Sequence, residues 1–164
     1  MSMSDLVTRL PVMDATFLEQ LYQQIPLTQA MGIQQLSWDA SATQPCLAMH
    51  LALPPLVNDK GTAFGGGVVG LATLLGWCWT RLLWETKQPS APVVVKSAQQ
   101  TYLAPIEGDF TLRARPLHDD WVETLDPQHS ARPGVTLEVE AWQAERCCFR
   151  FQGVYRVLAK ASIS

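Results

Sequence analysis

Charge is what this sequence has least of. Only 16% of its 164 residues are Asp, Glu, Lys or Arg, against a hydrophobic share of 48% and six tryptophans. So sparse a polar surface points to a protein that hides further area by self-association. The net charge is −3, and no basic run or aromatic–basic interleaving occurs, which argues against nucleic acid as a partner. Cysteine is present but not in useful arrangements. Cys46 and Cys78 have no partner at metal-ligand spacing, and the adjacent Cys147 and Cys148 would point to opposite faces of a strand. The opening residues Met1-Ser2-Met3-Ser4-Asp5 carry neither the basic start nor the apolar run of a secretory signal. The expectation is a reduced, cytoplasmic protein without a bound metal.

One stretch lacks charge altogether. From Gly61 to Thr80 there is no charged side chain, and six of the ten glycines lie between Gly61 and Gly76. The stretch is long enough to suggest a membrane span. Its start is rich in glycine, however, and Trp77, Trp79 and Trp84 sit only toward its C-terminal end, so no aromatic belt marks both sides. A buried helix, not a span, is expected. Each glycine weakens a helix by about 1 kcal/mol relative to alanine. Several together at a helix start imply a ligand close to the backbone, tight packing on all sides, or both.

The length fits a single domain over residues 1–164. Residues up to about Leu10 read as loose. Asp14 to Ile25 reads as a short amphipathic helix: Phe17, Leu18, Leu21, Tyr22 and Ile25 recur at three-and-four spacing, Asp14 can cap, and Pro26 stops it. Strands are expected at Ile33 to Trp38 and Leu47 to Leu53, where His50 reads as a surface or interface side chain. The central helix runs from about Gly65 to Thr86 and is apolar nearly all round, which places it inside something. Four strands follow, at Val93–Ala104, Phe110–Arg115, Val135–Trp142 and Cys147–Val157, with a hairpin turn at Ala144-Glu145-Arg146. A short helix at Asp119 to Asp126 would turn Trp121, Val122 and Leu125 inward. Consecutive strands without crossover helices make this α+β: a curved antiparallel sheet whose apolar face takes the uncharged helix.

Asn58-Asp59-Lys60-Gly61-Thr62-Ala63-Phe64-Gly65-Gly66 carries the functional signal. As a bare motif it is an ordinary turn, with Asn58 and Asp59 capping the helix that follows. In its setting it resembles the hotdog-fold thioesterases, where an asparagine is followed at this spacing by a glycine and then His-Gly-Gly entering the central helix. Together with Leu27-Thr28-Gln29-Ala30-Met31-Gly32 and Tyr102-Leu103-Ala104-Pro105-Ile106, it is similar to a bacterial branch of thioesterase-like hotdog domains, also found fused behind acetyltransferase-like domains. Members of that branch include malonyl-acyl-carrier-protein decarboxylases, which supply acetyl groups to start fatty-acid synthesis. The likeness covers about Phe17 to Leu158.

The resemblance implies a hotdog fold, edge-to-edge pairing into a homodimer or a dimer of dimers, and an acyl thioester of CoA or acyl carrier protein as substrate. No cofactor is implied beyond the CoA or phosphopantetheine that carries the acyl group. It also exposes a departure. The position of the hydrolytic carboxylate falls at Thr73, and the histidine position is Phe64; neither can act as a base. The expected roles are therefore Gly65 holding the oxyanion through its backbone N–H, Asn58 orienting the acyl group, and Asp59, Phe64, Gly66 and Thr73 lining the substrate site. Hydrolysis needs a base. Decarboxylation of a malonyl thioester needs only stabilisation of the enolate oxygen, and is favoured. Thioester hydrolysis and acyl-thioester binding without turnover are the alternatives. Arg113, Arg115, Arg150 and Arg156 read as a solvated sheet face before a landing site for phosphates or an acidic carrier.

Overall fold

A computed structural model describes Leu10, Met13, residues 15–85 and residues 91–158. The cap expected at Asp14 and the helix end expected at Thr86 lie outside the described residues. Helix α1, Ala15–Gln24, buries Leu21 and lays Phe17, Leu18 and Ile25 against the core, as its spacing predicts. A five-residue 3-10 turn, Pro26–Ala30, continues it. Strand β1, Ile33–Trp38, matches expectation. Strand β2, Leu47–Leu51, is two residues shorter than expected, because Leu53 leaves the strand to begin a second 3-10 turn at Pro54–Leu56. Prolines supply no N–H to a ladder but suit the first positions of such a turn.

The central helix α2 spans Gly65–Glu85. Strands β3 (Val93–Tyr102), β4 (Phe110–Pro116), β5 (Gly134–Gln143) and β6 (Arg146–Val157) follow, with the short helix α3, Trp121–Thr124, between β4 and β5. Helix α3 buries Trp121 and positions Leu125 in the core. The six strands form one antiparallel sheet in the order β1-β2-β4-β5-β6-β3. Alternation decides which face meets α2. Phe110, Leu112, Ala114 and Pro116 are buried while Arg113 and Arg115 stand outside. Arg115 pairs with Glu138 at 2.7 Å and Arg150 with Glu140 at 3.2 Å, so these arginines belong to a solvated outer face. His50 is half-buried on the same face, its Nδ1 3.0 Å from Thr111 Oγ1.

The helix expected to be enclosed all round is enclosed on only part of its circumference. Val68, Leu71, Ala72, Leu75, Cys78, Trp79 and Leu82 are buried against the sheet. Gly66 and Gly70 are exposed, and Thr73 and Trp77 are half-exposed. These four recur at three-and-four spacing, so they form one stripe along the helix. The stripe escaped sequence reading because glycine, threonine and tryptophan do not mark a wet face. Beside the stripe, Tyr155 of β6 is buried where its hydroxyl donates to Thr73 O at 2.8 Å, directly over Gly76. A Cβ at Gly76 would collide with that hydroxyl. By length and composition α2 could cross a membrane, but 61% of its apolar window is buried within the fold.

Strand β3 is the other departure. It lies at the sheet edge, and from Val94 to Tyr102 every residue is exposed. Exposed Val94 and Val95 at its start and Tyr102 and Leu103 at its end flank a mostly polar middle, Lys96 to Thr101. An exposed edge strand presents a row of unpaired backbone groups to another chain.

Candidate active site

The glycine-rich turn is a closed unit. Asn58 N–H donates to Thr62 O at 2.8 Å, and Gly61 N–H to Asn58 O at 3.2 Å. Gly61 sits at φ 75°, in the left-handed region where a Cβ is strained. The Asn58 side chain is spent largely inside the turn. Its Oδ1 accepts from Lys60 N–H at 2.9 Å and from Thr62 N–H at 3.1 Å, and its Nδ2 donates to Thr62 Oγ1 at 3.0 Å. One Nδ2 hydrogen remains outside those bonds. Asp59 points away into solvent and pairs with Lys60 at 3.1 Å. Neither residue caps the helix, contrary to the ordinary-turn reading of the motif.

Phe64 occupies the cap position instead. Its carbonyl accepts from Val68 N–H at 3.1 Å, the first bond of α2, and its own N–H donates to Leu56 O at 2.7 Å. Ala63 N–H donates to Ile106 O at 2.9 Å, tying the turn to the β3–β4 loop. A cap residue usually satisfies the N–H two or three positions on with a side-chain oxygen. Phenylalanine has none. The N–H groups of Gly65, Gly66 and Gly67 therefore have no partner among the described residues. They stand at the positive end of the helix dipole.

Two aromatic rings frame these donors. Phe64, 60% exposed, folds over Gly66, where an added Cβ would lie 2.7 Å from its ring. Tyr102, from the end of β3, lies over Gly65; its hydroxyl donates to Gly65 O at 3.2 Å, and an added Cβ there would come within 2.9 Å of its ring. Tyr102 was singled out in the sequence only as part of a family-like motif. Its place beside Gly65, 37 residues away in the chain, has no local sequence signal.

One cavity lies at the helix start and a second begins one turn along the helix. The first, of about 350 Å³, lies between Gly65, Val68, Tyr102, Ile106 and Phe149. The other, of about 450 Å³, lies along the uncovered stripe, between Gly70, Thr73 and Trp77 of α2, the Ile25–Met31 segment and the beginning of β3. Thr73 is two helical turns beyond Gly66 on the same face. Its hydroxyl donates to Val69 O at 2.9 Å. The structure thus brings Phe64, Gly65 and Gly66 together at the helix start and puts Thr73 down the same stripe. Asn58 stays in the turn, and Asp59 lies outside both cavities. Among the described residues, none that lines either cavity is a carboxylate or a histidine.

Residues 14–159 match the family described as "Putative thioesterase (yiiD_Cterm)". The chain belongs to this YiiD_C family. A solved structure of a putative thioesterase from Shewanella oneidensis shares 25% identity with it, over 96% of this chain and 100% of that one, at a TM-score of 0.67. A Chlorobaculum tepidum protein of unknown function aligns over 88% of this chain and 94% of its own, at 21% identity and a TM-score of 0.72. The thioesterase HI1161 of Haemophilus influenzae aligns over 94% and 98%, at 16% identity and a TM-score of 0.70. No curated protein matches. The sheet and central helix of this YiiD_C chain are those of a hotdog thioesterase, as the turn and strand order imply.

Proposed function

We propose that this protein acts on acyl thioesters of CoA or acyl carrier protein, and that its favoured reaction is decarboxylation of malonyl-carrier to acetyl-carrier for the start of fatty-acid synthesis. The observation that carries the reading is the uncapped helix start with no base beside it. With the thioester oxygen at the N–H groups of Gly65 and Gly66, the malonyl C–C bond breaks, carbon dioxide leaves, and its electron pair passes into the thioester as an enolate. The enolate oxygen keeps those hydrogen bonds, and a proton from water completes the acetyl group. One such donor is typically worth about 3–4 kcal/mol of transition-state stabilisation. In this reading Asn58 builds the turn that presents the helix start and offers its remaining Nδ2 hydrogen to the acyl group. Phe64, Gly66 and Thr73 give the site walls that do not compete as bases.

Hydrolysis is the second reading, supported by the family description and by the Shewanella oneidensis relative. It requires a base that these cavity linings lack, and a second copy of the chain is its natural source. The exposed β3 edge supports pairing into a homodimer or a dimer of dimers; a cytoplasmic setting and no cofactor complete the reading. The test is product analysis. Incubation with malonyl-carrier, malonyl-CoA and saturated acyl-CoA, with Asn58→Ala alongside, yields acetyl thioester for the first reading. Free acid and thiol mark the second. Release of neither product from any substrate overturns both.

A further inference from the structure

The cleft beside Thr73 is larger than a malonyl group needs, and its chemistry is wrong for an anion. All eleven described residues that line it are uncharged. Its two side-chain hydroxyls are turned to backbone: Thr28 Oγ1 donates to Ile25 O at 2.6 Å, and Thr73 Oγ1 to Val69 O at 2.9 Å. The remaining wall is hydrocarbon or ring. At about 30 Å³ for each water- or methylene-sized group, 450 Å³ seats at most about fifteen such groups. A malonyl unit would leave most of that space empty.

The cleft also has a fixed end. Trp77 Nε1–H donates to Val93 O at 3.1 Å, which pins the indole between α2 and β3. The Arg81 guanidinium lies over the same ring, 5.1 Å from its centroid. Arg81 is itself held by Glu85 at 2.7 Å and by Gln24 at 2.6 Å. Trp77 is eleven residues beyond Gly66, or about 16 Å at the helical rise of about 1.5 Å per residue. An extended chain advances about 1.2 Å per bond, a third of the span of an extended residue. Allowing for the indole leaning back toward the helix start, a chain held at Gly66 reaches the ring after about ten to twelve carbons.

We infer that the cleft takes a neutral, linear acyl chain and that Trp77 is its length stop. This rests on the reading that places the thioester at the Gly65–Gly66 turn. Medium-chain acyl thioesters then occupy the same turn as the malonyl thioester and compete with it.

The test measures binding of 2-oxoalkyl-CoA thioethers of graded chain length, up to hexadecyl, by calorimetry. These probes keep a carbonyl for the Gly65–Gly66 turn and have no thioester bond to cleave. Affinity should rise about fourfold per added methylene and stop rising at about ten to twelve carbons. Trp77→Ala should move that break several carbons longer, while Trp77→Phe leaves it nearly in place. Gly70→Leu gives a variant that keeps its fold: its Cβ meets only Met31 Cε, at 3.5 Å, and leucine favours the helix. It should bring the break down to about four or five carbons, one turn beyond Gly66. Affinity independent of chain length, or a break unmoved in folded Gly70→Leu, overturns the inference. Absence of any thioester turnover together with a break that moves as stated counts against the catalytic reading and leaves the cleft assignment standing.

Discussion

Thr73 stands where a hydrolytic thioesterase would carry its carboxylate, so Thr73→Asp is the most informative single change. Its stability cost follows from the surroundings. The new carboxyl faces a cleft without a cation, and burial there raises its pKa above the ordinary value of about 3.9. Thr73 is half-exposed, so the cost is smaller than for a fully buried carboxyl. The sign follows from linkage: with the folded pKa raised, the variant loses nothing at low pH, where both states are protonated. The penalty grows as pH rises through the unfolded pKa and is complete above the folded one. Urea melts at pH 4 and pH 7 should therefore show a deficit against wild type that is small at pH 4 and larger at pH 7. On activity, a base near the thioester contributes about 10²–10⁴ in rate. Free acid should become a measurable product from acyl-CoA, and decarboxylation should fall because a second carboxylate repels the malonate. Thr73→Ala should keep decarboxylation within about twofold of wild type, since the Thr73 hydroxyl only back-bonds to Val69 O. Unchanged product ratios in a Thr73→Asp variant that melts as described would refute the placement of substrate along this stripe.

Two further outcomes test the fold that holds the site. Gly76→Ala drives a methyl group into the Tyr155 hydroxyl and the ring carbons Cζ and Cε2, and should cost about 1–3 kcal/mol by overpacking, read from urea unfolding; Tyr155→Phe keeps both ring carbons and should recover little of it. Burial raises the thiol pKa of Cys46 to about 11 and that of Cys78 to about 12. Both thiols stay protonated in the native state while the unfolded chain ionises. Stability should thus be full below about pH 9 and fall by about 1 kcal/mol per cysteine by pH 10, a loss that Cys46→Ser or Cys78→Ala would each reduce.

The strands and the central helix were legible because their side chains alternate or recur with a period tied to burial, as Phe110-Thr111-Leu112-Arg113 does. The 3-10 turns at Pro26–Ala30 and Pro54–Leu56 were not, since three to five residues carry no period. The turn was legible as a unit but not in its wiring. Asn-Asp-Lys-Gly-Thr can cap a helix or close on itself, and only tertiary anchors such as Ala63 N–H to Ile106 O select the second. That choice leaves Phe64 at the cap and the glycine N–H groups open. Tyr102 over Gly65, and Trp77 pinned to Val93, join residues far apart in the chain, so no local pattern announces them.

The central claim is that the start of α2 holds a thioester oxygen. The infrared carbonyl stretch of carbonyl-¹³C-labelled acetyl-CoA, bound against free, reads this directly. Hydrogen bonds from Gly65 and Gly66, at the positive end of the helix, should move the stretch to lower frequency on binding. A bound carbonyl that absorbs at the free frequency or above it would contradict the account.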